Sequence, residues 1–214
     1  MHRMKSLFFT ISGVLILLSA CNQNKSKEQE TQDSTYIKAP QTMEEVQQLS
    51  EVVTRFVRAY INQDNEKANA LIHPKLGFTV IHRPGVADVF TKVDSIDFGT
   101  PVPAHFPYPT FSNDYVLTFE TLPTFDCGTE KWSKEGFFCD TTAHPDQLSR
   151  IALFQREFNQ EEFSDAEIDA IKNAERKSYR VILTAKDPLI FHLQHEEGVW
   201  YITVLDRAYA GCDA

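Results

Sequence analysis

The chain has 214 residues, a formal net charge of −9, and 42% hydrophobic and 12% aromatic residues. That length holds one globular domain once its terminal segments are set aside, and the apolar content excludes an intrinsically disordered protein. The acidic balance, with no Lys/Arg cluster or stripe in the body of the chain, excludes a nucleic-acid partner, since phosphate binding needs concentrated positive charge.

Met1 to Cys21 joins a basic start (His2, Arg3, Lys5) to an apolar run from Leu7 to Leu18, closed by Ser19, Ala20 and Cys21. A run of a dozen residues, interrupted by Thr10, Ser12 and Gly13, is too short for a bilayer span of roughly 20 residues but suits a signal-peptide core of about 7–15. Residues 1–20 are therefore expected to be a cleaved leader. Leu18-Ser19-Ala20-Cys21 resembles the lipobox of bacterial lipoproteins, and that resemblance implies that Cys21 is diacylated and becomes the new N-terminus. The expected location is the cell envelope, lipid-anchored to a membrane. Asn22 in place of the aspartate that retains some lipoproteins in the inner membrane favours the outer one.

Residues 21–41 are Asn, Gln, Lys, Glu, Ser, Thr and Asp with little to bury, which is the composition of a flexible tether of about 25 Å r.m.s. span. The domain is expected over 42–214. Thr42-Met43-Glu44-Glu45 is a capping box, followed by Val46, Leu49, Val53, Phe56, Val57, Tyr60 and Ile61 at helical spacing. Asp64 or Asn65 caps a short second helix that Pro74 ends. Leu76 to His82 reads as a strand stopped by Arg83-Pro84-Gly85, while Val86 to Val93 fits either a helical turn or a strand.

Four prolines from Pro101 to Pro109 make that stretch an extended loop: a recognition strip, a lid over a pocket, or a segment pinned to the core by its own aromatics. Tyr115 to Glu120 is a further strand. Pro145 to Phe158 and the segment opened by a second capping box, Ser164-Asp165-Ala166-Glu167, are helices. Tyr179 to Ala185, Pro188 to His195 and Val199 to Arg207 then form an antiparallel meander in which Trp200, Ile202 and Val204 share the face toward the first helix and Asp206 ends in solvent.

Three cysteines follow the lipobox. Cys127 and Cys139 bracket a short polar loop, and a disulfide between them would stabilise the fold by roughly 3 kcal/mol; a pairing through Cys212 or free thiols are the alternatives.

The order of elements predicts an α+β fold with helices packed on one face of a curved antiparallel sheet. From Glu44 to Val80, and again over Gly198 to Val204, that order is similar to the NTF2-like, cystatin-like superfamily. The resemblance implies a cone-shaped pocket between helix and sheet. His73, His82 and Arg83 cluster around the first strand, where such a pocket would open: a histidine near neutral pKa suits a general base and Arg83 suits an anion. His192 and His195, three apart on a strand, fall on opposite faces and make no metal site. No Gly-rich phosphate loop, metal-ligand spacing or G-x-S-x-G elbow occurs, so no cofactor is expected. The function expected is a non-catalytic domain that binds another envelope component, protein or small ligand; the alternative is an NTF2-like enzyme using a His/acid pair.

Overall fold

The computed structural model describes residues 42–158, 163–185 and 187–208. The expected leader (1–20), the tether (21–41) with its lipidation residue Cys21, and Cys212 lie outside the described residues.

Helix α1 (Met43–Ile61) begins where the capping box puts it: the Thr42 hydroxyl accepts from the Glu45 amide at 3.1 Å, and the Glu45 carboxylate accepts from the Thr42 amide at 3.0 Å. Asp64 caps α2 (Asn65–Asn69) by accepting from Lys67 N–H. Strands β1 (Phe78–His82) and β2 (Val89–Val93) form an antiparallel hairpin, which settles the second as a strand. After the Pro-rich loop come β3 (Leu117–Phe119), the small hairpin β4 (Phe125–Asp126) and β5 (Lys131–Trp132), and β6 (Phe137–Asp140). Helices α3 (Gln147–Phe158) and α4 (Asp165–Glu175) precede the meander β7 (Ser178–Leu183), β8 (Leu189–Glu196) and β9 (Val199–Asp206).

Seven strands make one open sheet in the order β2-β1-β9-β8-β7-β6-β3, antiparallel except at β1–β9 and β3–β6. The fold is thus α+β. Two features of the expected architecture are corrected: the sheet does not curl, and helices cover both of its faces. On the first face, Leu49, Val53, Phe56 and Tyr60 of α1 pack with Val80, Val181, Phe191, Leu193 and Ile202 in the main core. On the second, Ile151 of α3 packs with Ile81, Val204 and Ala208, and Ser178 Oγ of β7 donates to the Ala174 carbonyl of α4 at 2.8 Å. The second layer exists because α3 and α4 carry apolar stripes of their own, which must be buried against something.

The register of β9 is also corrected. His192 pairs with Val204 but Leu193 pairs with Ile202, so Thr203 is an extra residue in β9. The Ile202 amide instead donates to the Leu71 carbonyl, just past α2, at 2.9 Å. This bulge keeps Trp200 and Ile202 toward α1 and turns Val204 to the opposite face, with Leu205 taking the inward place in the main core. Asp206, expected in solvent, is buried.

The Pro-rich loop is pinned through the buried Tyr108, while residues 104–107, Phe106 among them, stay exposed. Tyr60, Phe98 and Tyr108 form a cluster of edge-on rings with centroids 5.4–6.0 Å apart. Arg207 lies 4.5 Å over the Tyr108 ring and donates to the carbonyls of Val102, Phe106 and Pro107.

The Cys127–Cys139 pairing is overturned. Cys127, on an exposed turn, is disulfide-bonded, whereas Cys139 is a free, fully buried thiol. Cys139 sits in β6 between β3 and β7 with its side chain in the main core, so it cannot reach the turn. Burial pushes its thiol pKa up to about 12. Under non-reducing, native conditions Cys139 should resist alkylation and become labelled only after denaturation, while Cys127 stays blocked until reduced. Labelling of native Cys139, or a mapped Cys127–Cys139 peptide, would contradict this.

Candidate functional site

On the second face, the turn after β1, helix α3 and the ends of β7 and β9 enclose a cleft of about 580 Å³. Its walls are mostly apolar: Ile81, Val86, Ala87, Ile151, Phe154 and Ala208. Its polar groups are Arg83, Asp88, Gln147, Arg150, Arg180 and Asp206. A cleft of this size with a few convergent polar groups is the usual form of a small-molecule site.

Each polar group is held by an identifiable element. Arg180 leaves β7 on the second face, by alternation with Tyr179 and Val181, which are in the main core. Its Nη2 donates to Asp206 Oδ2 at 2.6 Å, and Asp206 Oδ1 accepts from the Ala208 amide at 3.1 Å. With side-chain exposures of 20% and 5%, this is a largely desolvated ion pair on the cleft floor. Arg83 Nε donates to Asp88 Oδ1, also at 2.6 Å, across the β1–β2 turn. Arg150 meets Asp146 at 3.2 Å on the rim of α3. Two cleft residues hold buried polar atoms with no hydrogen-bond partner, Arg180 Nε and Gln147 Oε1. Such atoms are uncommon in folded proteins and call for an explanation.

A smaller cavity of about 260 Å³ lies further along the same face beneath α4, lined in part by Thr79, Glu175, Ser178, His192 and Gln194. Glu175, the last residue of α4, accepts from the Ser149 amide in the first turn of α3 at 3.1 Å, tying the two helices together. Burial raises its carboxyl pKa. His192 is buried with Nε2 unpartnered, and burial together with nearby Arg180 holds its pKa well below the ordinary 6.5. It stays neutral in the fold but takes a proton once unfolded. Its contribution to stability is complete above pH ~6.5 and is lost as pH falls toward the folded value, at a limiting ~1.4 kcal/mol per pH unit. His192→Leu should flatten that loss, as read from denaturation midpoints at about pH 7.5 and about pH 5.5. An unchanged slope would contradict the buried neutral imidazole.

Of the three residues expected to form a pocket, the structure brings only Arg83 to the cleft. His73 serves the turn after α2: its Nδ1 accepts from the amides of Lys75 and Leu76, and its ring lies edge-on to Tyr201 at 4.8 Å. His82 follows Ile81 on β1, and since Ile81 lines the cleft, alternation sends His82 to the other face. The sequence reading missed Arg180, Asp206, Arg150 and Gln147. The one signal present was the alternation Ser178, Arg180, Ile182 against Tyr179, Val181, Leu183, which marks a polar face without saying that helices cover it.

His192 and His195 do lie on opposite faces, His192 beside Arg180 and His195 against the Trp200 ring at 4.9 Å. Among the described residues no group of three or more His, Cys, Asp or Glu is placed to hold a metal ion, and no helix is long and apolar enough to cross a membrane. No protein-family model, curated protein or solved structure matches the chain, so the cleft's own geometry carries the functional reading.

Proposed function

We propose that this chain is a lipid-anchored envelope protein whose α+β domain binds a small envelope molecule in the α3-side cleft without transforming it. The observation that carries this reading is the desolvated Arg180–Asp206 pair set into an apolar-walled recess of about 580 Å³. A concave recess favours a small ligand over a protein partner, whose interfaces are larger and flatter. The rival reading, an enzyme with a His/acid pair, loses its pair here, because His73 and His82 lie away from the cleft. Kinship with the NTF2-like superfamily rests on the α1–α2–β1 order and the closing meander.

Anchoring rests on Leu18-Ser19-Ala20-Cys21, with the outer membrane favoured by Asn22. An acylated Cys21 has no thiol left for a disulfide, so on this reading it is not the partner of Cys127. Cys21→Ser should abolish acyl labelling and leave uncleaved precursor; normal processing and membrane attachment would sink the anchor. For the cleft, the low-mass fraction of a cell-envelope extract should raise the denaturation midpoint of the purified protein. Ala87→Trp, which fills the recess, should remove that rise. A rise that survives Ala87→Trp would place the binding elsewhere.

A further inference from the structure

We infer that the ligand is a monoanionic amphiphile, one carboxylate on a hydrocarbon or aromatic body. This rests on the reading of the cleft as a binding site and names what the site selects. Three guanidinium groups line the cleft, and each meets a carboxylate, Asp88, Asp206 and, at the rim, Asp146. With the charges balanced, an anion enters by taking the place of one of these carboxylates, and one carboxylate displaced favours a single charge over a phosphate dianion.

The arginines are not equivalent. Arg83 and Arg180 are each fixed by a carboxylate at 2.6 Å. Arg150 has an i,i+4 contact with Asp146 in which both side chains are about two-thirds exposed, 67% and 66%. Such surface pairs are weak, so a ligand carboxylate displaces Asp146 at little cost. Arg180 Nε and the Gln147 amide supply further polar capacity: Nε has a proton to donate, and the amide offers NH₂ or oxygen by a half-turn. A guanidinium matches a carboxylate in shape as well as charge, since its N–H groups lie in one plane.

The other half of the ligand is set by what the cleft leaves open to water. Val86 is 88% exposed and Phe154 42%, both on the lining, and Phe158 leans on Phe154 at 4.8 Å between ring centroids. An apolar body laid from the guanidinium groups toward these residues covers surface that nothing described in this chain covers. A small hydrophilic anion would satisfy the arginines and leave this wall wet.

Isothermal titration of the purified protein with octanoate, 1-octanol, octyltrimethylammonium and acetate separates the possibilities. Octanoate should bind saturably, with 1-octanol at least about tenfold weaker, the cation weaker still and acetate without measurable binding. Arg150→Gln, on an exposed residue that the fold does not need, should weaken octanoate about tenfold and leave 1-octanol unchanged. If 1-octanol or the cation binds as tightly as octanoate and Ala87→Trp abolishes that binding, the cleft stands and the carboxylate assignment falls. If no member of the panel shows binding sensitive to Ala87→Trp, the amphiphile assignment falls; if the extract-induced stabilisation is also absent, the cleft reading falls with it.

Discussion

Asp206→Ala should lower the stability of the domain by about 3–5 kcal/mol, as read from urea denaturation, which is a large share of a typical ~5–15 kcal/mol. The carboxylate is 5% exposed, accepts from Arg180 Nη2 at 2.6 Å and also accepts from the Ala208 amide. Removing it leaves the Arg180 guanidinium on a mostly buried sheet face without its counter-charge, and the desolvation cost is then uncompensated. The double variant Arg180→Met with Asp206→Leu removes both charges and fills the space with hydrocarbon. It should recover most of the loss, apart from about 1 kcal/mol for the Ala208 amide. An Asp206→Ala protein within ~1 kcal/mol of wild type would mean that water reaches the pair and that the cleft floor is not desolvated.

Phe56→Ala should cost about 3–5 kcal/mol, because the ring is fully buried and its removal leaves a cavity between α1 and the sheet. Phe56 lies 4.8 Å from Phe191 and 6.2 Å from Tyr60, so it joins helix to strand at the centre of the main core. A double-mutant cycle with Phe191→Ala should show a coupling of about 0.5–1.5 kcal/mol beyond the separate losses. Phe154→Ala, at the cleft mouth, should cost less than ~1 kcal/mol in the same assay. Equal losses at Phe56 and Phe154 would contradict the assignment of core and rim.

The contrast between these two phenylalanines shows what the sequence could convey. Both recur at helical spacing with other apolar residues, and nothing local distinguishes the ring that fills the core from the one left at a rim. Local chemistry was legible: Thr42 with Glu45 and Ser164 with Glu167 each mark a helix start, and both capping boxes form with the expected reciprocal bonds. The three meander strands were equally readable from period-two alternation. What failed was non-local. Ser178, Arg180, His192 and Gln194 alternate with apolar residues, a pattern that suits a wet face, yet α3 and α4 settle over them and turn that face into the floor of two cavities.

The bulge at Thr203 has the same origin. It follows an Ile202 amide diverted to Leu71, more than a hundred residues earlier in the chain, and no pattern within β9 announces it. Closeness in sequence also misled at the cysteines. Cys127 and Cys139 lie at the two ends of one loop, but the second is an inward-facing residue of an internal strand. Among the candidate site residues, Arg83 was found because a turn motif isolates it, whereas Asp206 was missed because its partner comes from β7.

Amide hydrogen exchange locates the binding surface without requiring the ligand's identity. Exchange should be compared for the purified protein with and without the low-mass fraction of a cell-envelope extract. Binding in the cleft slows exchange over residues 83–88 and 147–154, leaving the edge strand β3 and the Pro-rich loop at 101–111 unchanged. Slowed exchange confined to β3 or to residues 101–111, with 83–88 and 147–154 untouched, would contradict the α3-side cleft as the functional site.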